Sequence, residues 1–191
     1  PAYGHLALIV AAGGGPLSKR EGDLSLRELR AIGYRPEALL NYLARLGHSY
    51  PGDAWRDPAA LAADFALERL GRAPAHYDAA QLLHWQTEAV QRATPDALSA
   101  WLEPALRERV PAALHADFIA TVRPNIRFPA DATFWAERLF AAELCPSEDS
   151  RVVIAAAGPA FFHAALEAYA AQGAAYLPLI ETLKQRTGAK G

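Results

Sequence analysis

The chain has 191 residues, 52% hydrophobic and 21% charged, and a net charge of −2. This composition excludes wholesale disorder, and the near-neutral balance gives no whole-chain support for nucleic-acid binding while leaving local patches open. The single Cys, Cys145, excludes an internal disulfide and a cysteine-based zinc site and fits a reducing, cytoplasmic setting.

Alanine is abundant and valine and isoleucine are scarce, which favours helix over sheet. The segment His5-Leu6-Ala7-Leu8-Ile9-Val10-Ala11 is a short apolar run before three glycines, and it predicts a buried strand leaving a sheet for a loop. It is the one persuasive strand. A lone strand cannot bury itself, so its partners are expected upstream of the chain.

The loop that follows, Gly13 to Gly22, holds Lys19. Of the 19 basic residues, 16 are Arg; the other two Lys, Lys184 and Lys190, fall near the end. A compact ammonium in a glycine-flanked loop suits contact with phosphate, whereas a guanidinium is a planar fork. A solvated turn is the plainer alternative. A Walker A loop is excluded, because the G-x-x-x-x-G-K-[ST] pattern fails around Lys19.

Everything after the loop predicts helix. Ser25 to Glu28 has capping-box spacing, and Gly33 ends that helix. Pro36 to Gly47 comes next, with Leu39, Leu40, Leu43 and Leu46 as its core face. Further helices run from Asp57-Pro58 to about Leu70, from Gln81 to Arg92 behind an Asp78 cap, and from Thr94-Pro95 through Trp101. The last ones run from Pro111 to Val122, Asp131 to Leu144, Gly158-Pro159 to Gln172, and Tyr176 to Arg186. Short connections suggest a bundle of about nine helices. Neither a charged, apolar leader nor an apolar stretch of membrane-spanning length is visible.

The six His lack metal-ligand spacing, so no metal site is predicted. Trp55, Trp85, Trp101 and Trp135 could stack on bases, but their Leu and Phe neighbours favour a core role. Val122 to Pro129 reads as a loop in which Arg123 and Arg127 could meet phosphates or bases, or simply face solvent. Arg27, Arg30, Arg35 and Arg45 form a basic group that either faces an anionic partner or pairs with Glu28 and Glu37.

The run Tyr3-Gly4-His5-Leu6 through Leu17-Ser18-Lys19-Arg20, then Gly33-Tyr34-Arg35-Pro36 through Asn41-Tyr42-Leu43-Ala44-Arg45-Leu46-Gly47, resembles bacterial glutamyl-tRNA synthetases. Ala75 to Trp85 looks like that family's Phe-Asp-x-x-Lys-Leu-x-Trp-x-Asn element. The likeness is specific from Tyr3 to Trp85 and loose beyond. It implies a class I aminoacyl-tRNA synthetase whose Rossmann catalytic domain, with its His-Ile-Gly-His motif, stands upstream. The expected divisions are 1–22, the last catalytic strand and signature loop; 23–93, a helical stem-contact subdomain; and 94–191, a helical anticodon-binding domain that continues beyond the chain. The chain begins at Pro1 and has no Met, which fits an excised or processed piece.

The family's signature loop reads Lys-Leu-Ser-Lys-Arg, and here Pro16 replaces its first Lys. The resemblance implies that Leu17, Ser18, Lys19 and Arg20 form an ATP-binding loop, with Lys19 stabilising charge as pyrophosphate leaves. Arg27, Arg45, Arg123 and Arg127 become candidate tRNA contacts. ATP and Mg²⁺ are implied for the parent enzyme, with none held tightly by this piece. The expected partner is glutamate tRNA, with glutamine tRNA a second candidate, and the expected state is a monomer away from membranes. In the Ala75–Trp85 element the family's Lys is Gln81 and its Asn is Gln86 or Glu88, which weakens any contact carried over there. The competing expectation is a helical protein-interaction module with no RNA or ATP role.

Overall fold

A computed structural model describes residues 3, 6–11, 13–15, 25–143 and 145–188. Among them are nine α-helices and one two-stranded parallel sheet: β1 (Ile9–Val10), α1 (Leu26–Ile32), α2 (Pro36–Gly47), α3 (Pro58–Ala63), β2 (Ala75–His76), α4 (Ala79–Arg92), α5 (Pro95–Leu106), α6 (His115–Val122), α7 (Pro129–Phe140), α8 (Glu148–Gln172) and α9 (Tyr176–Thr187). The expected helical architecture is found.

Local chemistry explains where the helices begin. Ser25 and Glu28 form a reciprocal capping box at α1, and the side chains of Asp57, Asp78 and Thr94 cap α3, α4 and α5. Proline opens α2, α3, α5 and α7, where its missing N–H costs no helical bond.

Several expectations need correction. The strand, whose partners were expected upstream, has one downstream: Ile9 pairs with Ala75 and Val10 with His76. The helix after Asp57 stops at Ala63, and Leu67–Arg69 is a separate 3₁₀ turn. The helix at Thr94 continues past Trp101 and through Pro104 to Leu106, because Leu102, Ala105 and Leu106 are buried. Pro111 leads into a short 3₁₀ turn before α6, and α7 starts at Pro129 rather than Asp131 and ends at Phe140. On α2 the buried residues are Ala38, Asn41 and Tyr42, while Leu40 and Leu43 are exposed.

The chain forms two compact units, Pro1–Ala141 and Ala142–Gly191. The first holds two apolar clusters. Leu29, Ala38, Tyr42, Leu82, Trp85 and Ala89 make one. Val90, Leu98, Leu102, Leu106, Ile119 and Ile126 are central to the other. α4 joins them, with Ala89 in one cluster and Val90 in the next.

In the second unit α8 packs against α9, and an Arg186–Glu167 ion pair ties them. α8 begins earlier than expected, at Glu148 behind a Ser147 cap, and bends at Gly158 (φ 70°, ψ 169°) ahead of Pro159. It also revises the membrane expectation. By length and composition α8 could cross a bilayer, with a mean hydropathy of 1.4. The bend divides it into two halves, each shorter than the roughly 20 residues a span needs.

Candidate nucleic-acid interface

β1 and β2 aim two segments from one place. The carbonyl oxygens of Leu8 and Val10 accept from the amides of Ala75 and Tyr77 at 2.9 and 2.8 Å. Beyond β1 the chain turns at once, with the Gly14 amide donating to Ala11 O and the Ala11 amide to Gly15 O, both at 2.8 Å. Beyond β2, the Asp78 amide donates to Tyr42 Oη at 2.6 Å, which pins the start of α4 to α2. Burial raises the Tyr42 phenol above its usual value, partly offset by that amide. Leu17, Ser18, Lys19 and Arg20 lie outside the described residues. An apolar cavity of about 260 Å³ adjoins β1, lined by Leu6, Ile9, Leu43, Leu46 and Phe65.

A second polar centre joins the two apolar clusters. Gln86 is fully buried. Its Oε1 accepts from the Arg35 amide at 2.9 Å, and its Nε2 donates to Arg127 O at 2.7 Å and to Gly33 O at 3.3 Å. Trp101 Nε1 donates to the same Gly33 oxygen at 3.2 Å. Gly33 lies at φ 107°, and a Cβ there would sit 2.5 Å from Pro129 Cδ. Asp131 Oδ2 accepts from the amides of Arg127 and Phe128 at 2.8 and 2.9 Å.

The four candidate arginines divide by surroundings. Arg27 is exposed on α1, and Arg127 is exposed with its backbone held on both sides. Arg45 is half-buried and engaged internally. Its Nη1 donates to Asn41 O at 2.8 Å and Asn41 Oδ1 at 3.0 Å, its Nη2 donates to Ala54 O at 2.6 Å, and it lies 4.2 Å from the Trp85 ring centre. Burial, then the nearby Arg56 charge, lowers its pKa. Arg123 donates to the carbonyls of Gln91 and Ala93, and its own carbonyl accepts from Gln91 Nε2 at 2.8 Å. Residues 123–125 form a 3₁₀ turn where the sequence suggested a plain loop.

Arg45 is one member of a column of cations and rings. Arg92 lies over Trp55, Trp55 beside Trp85, and Arg45 over both Trp85 and Tyr50, with Arg56 also over Tyr50. Trp85 is buried and Trp55 half-buried, so these tryptophans pack the protein. Arg35 is buried too, paired with Glu37 at 3.5 Å as one of the sequence alternatives allowed. No group of three His, Cys, Asp or Glu among the described residues could hold a metal ion.

Sequence reasoning missed Gln86 as an organiser. It entered only as a replacement that weakens an RNA contact, yet it is enclosed and satisfies three backbone groups. A polar residue on the apolar face of a capped helix was the available signal.

These features define a helical segment in which a short parallel strand pair leads into a glycine turn. No protein-family model matches the chain. Over all 191 residues it is 52% identical to glutamate–tRNA ligase 2 of Nitrosococcus oceani, 47% to glutamate–tRNA ligase 2 of Acidithiobacillus ferrooxidans and, again over its whole length, 45% to glutamate–tRNA ligase 1 of Methylococcus capsulatus. It covers 40%, 39% and 41% of those proteins. The chain is thus a relative of glutamate–tRNA ligases over about 40% of their length. The crystal structure of a glutamate tRNA ligase from Elizabethkingia meningosepticum, in complex with its amino acid, shares the fold along the entire chain (TM-score 0.76, 21% identity, 43% of that protein covered). Glutamate-tRNA synthetase from Elizabethkingia anophelis gives a TM-score of 0.73 at 21% identity, with 43% covered.

Proposed function

We propose that this chain is the tRNA-binding C-terminal portion of a glutamate–tRNA ligase, which joins glutamate to AMP with ATP and passes it to the terminal ribose of tRNA. Similarity along all 191 residues to about 40% of proteins named for that reaction carries the reading. It also disfavours the protein-interaction module. Residues 1–22 would supply the end of the catalytic domain, 23–93 the stem contact and 94–191 the anticodon-side helices.

In this reading Leu17, Ser18, Lys19 and Arg20 face ATP phosphates, and Lys19 stabilises the charge that develops on pyrophosphate. Mg²⁺ belongs to the ATP chemistry of the whole enzyme, where it screens phosphate charge. The partners are glutamate tRNA and a catalytic domain in the same polypeptide, in a cytoplasmic monomer; glutamine tRNA is the second substrate to test. Arg27 and Arg127 are the exposed candidates for tRNA contact, and exposure favours them over Arg45 and Arg123.

Two assays on the purified chain test this. It should bind glutamate tRNA with an affinity that falls steeply with salt, as released counterions require. Arg127→Ala should reduce the salt slope by about one phosphate contact. The chain alone should not charge tRNA. Salt-independent binding or none, or charging by the chain itself, would contradict the assignment.

A further inference from the structure

We propose that Gln86 is a positioning residue for RNA recognition: it latches the turn carrying Arg127 to the α1–α2 junction, and so sets α5–α7 against α1–α4 within the first unit. The recognition half of this statement rests on the tRNA-binding reading above.

The latch joins segments distant in sequence. The Arg35 amide stands at the start of α2, where no helical carbonyl can accept it, and Gln86 Oε1 supplies the acceptor at 2.9 Å. The Arg127 carbonyl lies just ahead of α7, and Gln86 Nε2 reaches it at 2.7 Å. One side chain must therefore accept on one side and donate on the other. Glutamine does both, ionised glutamate cannot donate, and methionine offers no comparable donor.

Other contacts converge on the same seam. The Gly33 oxygen receives Gln86 from α4 and Trp101 from α5. Pro129, at the first turn of α7, presses against the Gly33 α-carbon, where a methyl group could not fit. Asp131 holds the Arg127 amide while Gln86 holds its carbonyl. The Arg127 side chain is thus exposed on a backbone fixed from both sides. A cation held in this way is preorganised for its partner, because less freedom is lost on binding.

Hydrogen exchange on the 191-residue chain tests the latch without RNA. The Arg35 amide should exchange as slowly as the amides of Leu102 and Val90, since its protection depends on Gln86. Gln86→Met should speed Arg35 exchange about 100-fold or more while Val90 and Leu102 keep theirs, the pattern of a local opening. The same variant should lose about tenfold in discrimination between a glutamate tRNA transcript and one with a scrambled anticodon, at an unchanged salt slope because every cation remains. Should Gln86→Met fail to fold, Gln86→Asn keeps donor and acceptor on a shorter stem and should release Arg35 in part. Loop-like Arg35 exchange in the unsubstituted chain, or no change in a folded variant, would overturn the latch. Equal binding of both transcripts by the unsubstituted chain would overturn the recognition role, and the exchange data would still judge the latch separately.

Discussion

Gly33 shows how one residue can be required twice. Its φ of 107° suits glycine, and the space a side chain would need is filled by Pro129. Gly33→Ala should therefore cost about 2–4 kcal/mol in urea unfolding, from backbone strain plus overpacking. A loss under about 0.5 kcal/mol, the size of an ordinary surface change, would mean the contact yields easily. Tyr42 makes a pH prediction. Its folded pKa is raised, chiefly by burial. Above about pH 10 the unfolded chain releases its phenol proton first, so the unfolded state binds fewer protons and stability falls as pH rises. The contribution is complete below that pH and lost through the folded value. Tyr42→Phe should flatten this alkaline decline, and an equally steep decline would show that Tyr42 does not control it. Gly33 was legible as a helix terminator, but Gln86 was not legible as a latch. Its bonded partners lie 51, 53 and 41 positions away, and periodicity along one helix carries no record of them.

Helix starts were far more legible than helix ends. Ser25, Asp57, Asp78 and Thr94 each cap the helix that the sequence predicted there, since a cap is a local bond between neighbours. Ends depend on packing. α5 passes Trp101 because the residues after it are buried, and α3 stops short of Leu70 although nothing in the sequence forbids continuation. The partner of β1 escaped for a similar reason: Ala75–His76 is too short for a strand pattern, and only its parallel pairing defines it. α8 offers a test at this scale. Gly158 sits in a conformation reserved for glycine, and Pro159 disfavours helix at the preceding residue. Replacing both with alanine should let the helix run through, raising far-UV helical ellipticity. Unchanged ellipticity would mean that packing, rather than these two residues, sets the bend.

At the scale of the whole molecule, a formal charge of −2 hides an uneven distribution of arginines. Arg45 and Arg56 are held against rings and carbonyls inside the first unit, and Arg92 and Arg107 pair with Glu88 and Glu103 along their helices. Arg27 and Arg127 are exposed. The division at Ala141 was not legible, because helical patterning runs on both sides of it while the separation arises from which helices pack together. Whether this chain recognises tRNA is decided by filter binding. The purified chain would be offered a glutamate tRNA transcript and one with a scrambled anticodon, at low and moderate salt. Preference for the native transcript is expected, with a loss of affinity with salt that Arg127→Ala makes shallower. Absence of binding to either transcript at low salt would contradict it.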